Sequence, residues 1–480
     1  VYDMICRGDT IGVFQVESRA QMQTLPRIKP RSIEDLTIEV ALIRPGPLQG
    51  NMVHPYIRRR KGLEKVTYPH PKLKPILEDT LGVLLFQEQV IQVATTIANF
   101  TPGEADALRR AMSKKRSREA MNEMRQKFID GARKNDVNTA LANHTFDALE
   151  GFAEYGFCKS HAAGFAVLCY ESAWLKKYYP AEFYCALLNN QPMGFYAPEV
   201  IVQDAKRHGI EVLPADINRS AARCAIEDGK DCPEQSVRLG FMYVKEIGEK
   251  AMDLIVSERE KGPYHSLEDF YFRTRLESQP VENLILAGAF DFSGCRKRQL
   301  LWQLGILEKT CPGELSLRFS DVRVSLPDFT ELEEMKADYE VQGLSTKYHP
   351  MQVVRKDISG DGLVRSSELP RLHSDAQVRI AGYVVIRQKP PTAKGFAFIT
   401  LEDEEGMINI VVRPDVYEKY RQVFKLEPLM VVEGTIQKRD GTLNIIARTL
   451  MPLRHFHNAP PQNGYRQLCQ TPTLGPASQC

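Results

Sequence analysis

Most features that would place this chain in a specialised class are missing. No run of about 18 apolar residues occurs, so no membrane-spanning helix is predicted. No basic segment followed by an apolar stretch opens the chain, and no secretory signal is expected. Ten cysteines are scattered at 6, 158, 169, 185, 224, 232, 295, 311, 469 and 480, none in a C-x-x-C pair. That spread argues against a zinc ribbon or a redox motif and predicts reduced thiols in the cytoplasm. Charge of one sign is not in excess: 63 Lys and Arg face 61 Asp and Glu, a net of +2. A histone-like polycation is thereby excluded, whereas nucleic-acid binding is not, because local clustering of charge decides it. There is no internal repeat, no Walker A spacing, and no Ser/His/Asp or Cys/His arrangement. No carboxylates stand in D-x-D order within an apolar strand, and the densest acidic run, Glu402-Asp403-Glu404-Glu405, falls in a predicted loop. Nor is there an initiator Met. The patterned stretch from Val1-Tyr2-Asp3-Met4 predicts a piece of a longer protein.

What is present suits several globular cores. Apolar residues make up 43% and charged residues 26% of 480, too apolar for a disordered chain. At about 150 residues per domain, roughly three domains are expected. Up to about residue 195 the pattern is helical. Pro-Gly punctuation interrupts it at Arg44-Pro45-Gly46-Pro47. An apolar helix is predicted over Val83 to Ala98, with Gln87-Glu88-Gln89 as its polar group. Thr101-Pro102-Gly103-Glu104 predicts a capped start, with Thr101 as cap, Pro102 in the first turn and Glu104 closing a capping box. Ala105, Leu108, Ala111 and Met112 follow on one face. Another helix is predicted over Phe165 to Lys177. A mixed segment with a short strand at Gly209 to Pro214 comes next, then short helices to about 305, and an irregular connector with one helix at Glu331 to Tyr339.

After Asp375 the period becomes two. Strands are predicted at Val378–Val384, Phe396–Leu401, Ile408–Val412, Leu429–Ile436 and Thr442–Ala447. A helix at Pro414–Phe424 lies between the third and fourth, and Asp440-Gly441 marks a hairpin. That is the order of an OB-fold barrel. The Pro-, Gln-, Gly- and Ser-rich end is predicted to be disordered. The fold class is multidomain α+β.

Several constellations carry chemical possibilities. Arg58-Arg59-Arg60-Lys61 and the run Arg109, Arg110, Lys114, Lys115, Arg116, Arg118 suit either a polyanion or a solvated helix face. Arg109 and Arg110 lie beside the apolar face of their helix, where packing would hold a guanidinium fork for phosphate oxygens. Tyr155-Gly156-Phe157-Cys158-Lys159-Ser160-His161 groups a glycine, a cation, a hydroxyl and an imidazole just before a helix. Phosphate binding at its N-terminus, or capping by Ser160, would each explain it. Val244-Lys245-Glu246-Ile247-Gly248-Glu249-Lys250 resembles a helix-hairpin-helix turn, with Lys245, Gly248 and Lys250 placed to meet a DNA phosphate. Glu246 replaces the expected first glycine. In the second barrel strand Phe396 and Phe398 share one face, opposite Ala397, Ile399 and Leu401. They would either stack on single-stranded bases beside Arg387, Lys389 and Lys394 or be buried by the barrel's curl. Asp357 to Gly362 with Glu368 matches a calcium loop by position but lacks the flanking helices. His455-Phe456-His457 lacks a third ligand.

Taken in order, these motifs resemble the bacterial C-family DNA polymerases, the alpha subunit family of DNA polymerase III, over about residues 1 to 455. The resemblance rests on Gly12-Val13-Phe14-Gln15-Val16-Glu17-Ser18-Arg19, Leu42-Ile43-Arg44-Pro45-Gly46-Pro47, Leu85-Phe86-Gln87-Glu88-Gln89 and Leu108-Arg109-Arg110-Ala111-Met112. Tyr155 to His161, Leu286-Ala287-Gly288-Ala289-Phe290-Asp291 and Thr400-Leu401-Glu402-Asp403 extend it. Asn51 to Arg60 and Arg387 to Gly395 look closer to the error-prone, damage-inducible branch than to the replicase. The replicase's clamp peptide of Q-x-x-L-F type has only Glu314-Leu315-Ser316-Leu317-Arg318-Phe319 as a counterpart, without the glutamine.

The resemblance implies a fingers domain at 1–195, a mixed linker at 196–234 and a helix-hairpin-helix region at 235–305. A connector at 306–372, an OB domain at 373–455 and a disordered tail at 456–480 would follow. It implies that Arg109 and Arg110 contact the triphosphate of the incoming deoxynucleoside triphosphate. Primer-template DNA would be gripped by Lys159, Ser160, His161, Lys245, Gly248, Lys250, Lys389, Lys394, Phe396 and Phe398. Mg2+ would be held by palm aspartates that precede Val1, so no catalytic residue and no metal ligand is assigned here, and the chain alone is expected to be inactive. Accessory mutagenesis proteins and, through them, the sliding clamp are implied partners. A replicative alpha subunit, a stand-alone DNA-binding module and an OB-fold RNA binder such as a synthetase anticodon domain stay open as alternatives.

Overall fold

The computed structural model describes residues 1–44, 53–113, 118–153, 156–228, 235–309, 326–358, 362–439 and 441–453. Pro45 to Pro47, Asn51, Met52, Lys114, Lys115, Arg116, Tyr155, the Glu314 to Phe319 stretch, Ser359 to Asp361, Asp440, His455 to His457 and the rest of the tail lie outside these residues, as does the Arg118 side chain. Two compact units form, Val1–Tyr178 with Arg439–Thr442, and Tyr179–Lys438 with Leu443–Cys480. Among the described residues no helix is long and apolar enough to cross a membrane.

Counting helices of five residues or more, the first unit is α1 (Tyr2–Cys6), α2 (Arg19–Ile28), α3 (Ile33–Leu42), α4 (Val53–Arg60), α5 (Gln87–Ala98), α6 (Pro102–Ser113), α7 (Arg118–Lys134), α8 (Thr139–Ala153) and α9 (Lys159–Tyr178). One core joins α5 to α8. Val90, Val93 and Ile97 of α5 meet Ala105 and Leu108 of α6, Phe128 and Ala132 of α7, and Phe146 and Leu149 of α8. Phe128 stands edge-on to Phe100 and Phe146 at 5.9 and 5.5 Å. A second core lies under α3, α4 and α9. There α9 buries Ala162, Ala166, Cys169 and Ala173. Those small residues recur at spacings of four and three, which puts them on one face and lets two helix backbones approach closely.

Two helix starts differ from the sequence expectation. α5 begins at Gln87, because Phe86 is extended and the Gln89 side chain accepts from the Leu85 and Phe86 N–H groups at 2.8 and 3.0 Å. α9 begins at Lys159, six residues before the predicted Phe165. The capping box of α6 forms as predicted, with Thr101 N–H donating to Glu104 at 2.8 Å and Glu104 N–H to the Thr101 hydroxyl at 3.3 Å.

The second unit starts with α10 (Pro180–Asn189) and α11 (Pro198–Arg207) and a small sheet of β1 (Val212–Leu213), β2 (Ala225–Glu227) and β3 (Ser236–Arg238), ordered β1-β3-β2. Four helices follow: α12 (Glu249–Glu260), α13 (Leu267–Thr274), α14 (Ser278–Leu286) and α15 (Lys297–Leu307). They close on Phe241, Ile255, Phe270, Leu284, Phe290 and Leu300. Next come α16 (Glu331–Gln342), capped by Thr330 and Glu333, and α17 (Pro350–Arg355).

The barrel holds β4 (Gln377–Gln388), β5 (Ala397–Glu402), β6 (Met407–Val412), β7 (Leu429–Arg439) and β8 (Thr442–Pro452), closed in the order β4-β5-β6-β8-β7. A register shift between Val384 and Ile386 bends β4. Gly382 serves the same closure, since a Cβ there would stand 2.8 Å from that of Leu401. The predicted helix between the third and fourth strands is two short ones, α18 (Pro414–Lys419) and α19 (Arg421–Leu426), because Tyr420 leaves helical geometry at φ −112, ψ 26. The acidic run predicted in a loop is mostly ion-paired structure. Glu402 is buried and meets Arg207 of α11 at 2.7 Å, Glu404 meets Arg355 of α17 at 3.0 Å, and Glu405 meets Arg365 at 2.7 Å. Asp403 accepts from the Ser366, Glu405 and Gly406 N–H groups.

Candidate nucleotide and nucleic-acid interface

In the first unit Arg110 stands on the solvent side of α6, opposite buried Ala105 and Leu108, while Arg109, four residues after Ala105, lies half-buried at the edge of that face. Asp106 lies three and four residues back, the spacing at which helix side chains meet. Arg109 Nε donates to Asp106 Oδ1 at 2.9 Å, and Arg110 Nε to Oδ2 at 2.7 Å, with a second contact from Arg110 Nη2. One carboxylate thus aligns two guanidinium forks. Hydrogen bonds from Arg110, then Arg109, hold the Asp106 carboxyl below its ordinary range. Arg110 is the more exposed, at 69% of its side chain against 28% for Arg109.

Three consecutive residues at the start of α5 tie this site together. Gln87 accepts from Arg109 Nη1 at 3.1 Å and donates from Nε2 to the Gly156 carbonyl at 2.7 Å. Glu88 accepts from the Lys159 N–H with both oxygens, at 3.0 and 2.9 Å, and from Cys158 Sγ at 3.1 Å. Gln89 caps its own helix and also donates to Thr80 at 2.9 Å. The N-terminus of α9, expected either to hold phosphate or to be capped by Ser160, is therefore capped by Glu88. A carboxylate in that place is worth about 0.5–2 kcal/mol.

Lys159, Ser160 and His161 accordingly form the first turn of α9 instead of preceding it. Lys159 Nζ pairs with Asp79 at 3.1 Å, and the Ser160 hydroxyl meets Cys158 Sγ at 3.0 Å. His161 is exposed and stands 4.1 Å from the Phe165 ring and 5.2 Å from Phe157. Arg44 lies 3.6 Å over Phe157, and burial lowers its pKa. The cluster Arg58 to Lys61 is not a free basic patch. Arg58 and Arg59 pair with Glu64 at 2.8 and 3.0 Å. Arg60 grips both oxygens of Asp35 at 2.6 and 2.7 Å.

In the second unit the 244–250 turn joins a single 3-10 turn, Phe241–Tyr243, to α12, so its first helix is shorter than the predicted hairpin implied. Glu246 takes φ +63, the left-handed conformation the replaced glycine would adopt freely, so the turn survives the substitution. Gly248 caps α12 at φ −79, and a Cβ there would meet nothing within 4 Å. Neither the backbone nor internal packing requires that glycine, which leaves room for a ligand's close approach. Lys250 is exposed without an ion pair among the described residues, while Lys245 Nζ donates to the Glu340 carbonyl.

On the barrel, Ala397, Ile399 and Leu401 point into the core as the alternation predicted. Phe398 is half-buried, between Gln388 of β4 and Val411 of β6. Phe396 precedes β5 and is exposed, so the expectation that it is a strand residue is corrected. Lys389 lies 3.6 Å over the Tyr417 ring, Arg387 donates to the Glu427 carbonyl, and Lys394 is exposed. The proposed contacts thus fall into three sets, the Arg109 and 156–161 site, the 244–250 turn and the barrel face.

Three stretches of the chain match domains known from other proteins. Residues 1–136 match the bacterial DNA polymerase III alpha subunit finger domain, 209–300 a helix-hairpin-helix motif and 378–453 an OB-fold nucleic acid binding domain. The chain is 44% identical over 461 residues to an error-prone DNA polymerase of Anaeromyxobacter sp. (strain K), covering 94% of this chain and 41% of that protein. Error-prone DNA polymerases of Sinorhizobium medicae (strain WSM419) and Mycolicibacterium paratuberculosis (strain ATCC BAA-968 / K-10) are 43% and 44% identical, over 93% and 94% of this chain and 43% and 41% of theirs. Along almost its whole length the chain is similar to the bacterial C-family DNA polymerases, on their error-prone side. It spans less than half the length of these curated relatives. Among solved structures, asparaginyl-tRNA synthetase from Pyrococcus horikoshii matches 22% of the chain at 22% identity and a TM-score of 0.17, which carries no argument.

Proposed function

We propose that this chain is the nucleotide- and DNA-contacting part of an error-prone DNA-directed DNA polymerase. The observation that carries the reading is the pair of guanidinium forks aligned by Asp106 on the open side of α6. A triphosphate offers oxygens at the spacing such forks recognise, and in phosphoryl transfer those oxygens carry the charge that needs neutralising. Arg109 and Arg110 bind and orient the deoxynucleoside triphosphate. The 244–250 turn, through Gly248 and Lys250, meets duplex phosphates without reading sequence. The barrel face around Phe398 and Lys394 takes the single-stranded template.

Polymerases of this kind use divalent metal, and Mg2+ is the ion proposed. Among the described residues neither unit by itself brings three His, Cys, Asp or Glu ligand atoms within 4.8 Å of one another. Those residues do not fit a two-metal site. In full-length polymerase carrying this segment, Arg110→Ala is expected to lower single-nucleotide insertion at least about tenfold, roughly 1.4 kcal/mol. Unchanged insertion kinetics would sink the assignment. That deficit of metal ligands also favours a second reading, a module that binds primer-template with strong salt dependence and extends nothing. Extension by purified residues 1–480 refutes it.

A further inference from the structure

We infer that Gln87 is a positioning residue that fixes Arg109 to the 156–161 segment; the inference rests on the reading of Arg109 as a triphosphate contact. The carboxamide of Gln87 hydrogen-bonds to both. Its orientation follows from its neighbours. A guanidinium only donates and a carbonyl only accepts, so the amide oxygen must face Arg109 Nη1 at 3.1 Å and the amide nitrogen the Gly156 carbonyl at 2.7 Å. The Gln87 N–H donates to the Phe157 carbonyl at 2.9 Å, so backbone and side chain hold the same strand of chain. A bridge needing one donor and one acceptor suits glutamine. Glutamate would set a carboxylate against the Gly156 carbonyl, and asparagine is a methylene shorter.

The second restraint on Arg109 has a different character. Asp106 holds it through an anion that an arriving triphosphate must displace or share. Gln87 is neutral and does not compete with phosphate in that way. When Asp106 lets go, Gln87 keeps the guanidinium in register with Lys159, Ser160 and His161. An arginine located by a fixed neighbour loses less entropy on binding its ligand, which appears as nucleotide affinity rather than as a change in the chemical step.

The test is a double-mutant cycle in full-length polymerase carrying this segment, with Gln87→Ala, Arg109→Ala and both, read by single-nucleotide insertion. Gln87→Ala is expected to raise KM for the deoxynucleoside triphosphate about fivefold with kcat little changed. The double variant should be no worse than Arg109→Ala within about twofold, because the pair acts as one unit. An unaffected Arg109→Ala enzyme overturns the nucleotide reading itself. An impaired Arg109→Ala enzyme with a harmless or strictly additive Gln87→Ala overturns only the role of Gln87. Gln87→Glu serves should the alanine variant not fold. It keeps an acceptor for Arg109 but loses the donor to Gly156, and it should show the same rise in KM. Wild-type KM in Gln87→Glu would also overturn the inference.

Discussion

Replacing Gly131 with alanine sets two magnitudes of opposite sign against each other. Gly131 lies within α7, where alanine is the better helix former by about 1 kcal/mol. By propensity alone the substitution should stabilise. The structure argues otherwise, because an alanine Cβ would lie 1.9 Å from the Ala98 carbonyl oxygen and 2.9 Å from its carbon, where α5 ends. That neighbour is backbone, so no rotamer change relieves the contact. Restoring an ordinary separation requires α5 and α7 to part by more than about 1 Å, and a gap of 0.5–1 Å already forfeits a quarter to a half of the dispersion energy of each contact it opens. The contacts at risk include Val93 and Ile97 against Phe128 and Ala132. Overpacking of a core costs about 1–3 kcal/mol, and a backbone clash belongs at the upper end. The net expectation is destabilisation by roughly 1–2 kcal/mol after the propensity gain is subtracted. Urea unfolding followed by Trp174, in the first unit, measures it in a Trp302→Phe background that silences the second tryptophan. A Gly131→Ala chain as stable as the parent, or more so, would refute the argument and show that the helices separate freely.

Two other expectations concern charge and the barrel. Glu39 of α3 is wholly buried with neither carboxylate oxygen hydrogen-bonded, and burial pushes its pKa up to about 8, against smaller opposing effects of Arg60 and Arg27. The folded state therefore holds a proton there that the unfolded chain releases near 4.5. This contribution to stability is complete below that value and is lost as pH rises toward 8. Glu39→Gln removes the dependence, so its stability relative to the parent should improve between pH 6 and pH 8, on the order of 2 kcal/mol; parallel profiles in denaturant unfolding would contradict it. On the barrel, Phe398→Ala should weaken single-stranded oligonucleotide binding at least about fivefold with the salt slope unchanged, whereas Lys394→Ala should make that slope shallower by about 0.7. Equal binding by Phe398→Ala, or an altered salt slope, would count against stacking on this face.

What could be read from sequence was what is encoded locally. The Thr101–Glu104 box, the inward Ala397, Ile399 and Leu401, and the strand order of the barrel depend on neighbours within a few residues or on period two. The start of α9 was missed because its cap comes from Glu88, 71 residues earlier, and helix-start rules look only at adjacent sequence. The Arg58 to Lys61 run looked like a surface patch because Asp35, the partner of Arg60, lies 25 residues away. Asp106 is legible in the sequence, since an acid three and four residues before two arginines forms a helix pair, although the cations are the more conspicuous signal. Gln87 was visible only as part of a polar group on an apolar helix. Which of its neighbours it served required the fold.

The Gln87-Glu88-Gln89 triplet has a consequence for how this segment tolerates change. Successive side chains on a helix are turned by about 100°, so three adjacent residues face three directions. Here they meet Arg109, the first turn of α9 and the start of α5 itself. Substituting one of them disturbs one junction. Deleting or inserting a single residue just after them leaves their identities intact but rotates all three against the rest of α5, and every junction fails together. For this stretch length is as strict a constraint as chemistry, and homologous segments should exchange across it as whole turns rather than residue by residue.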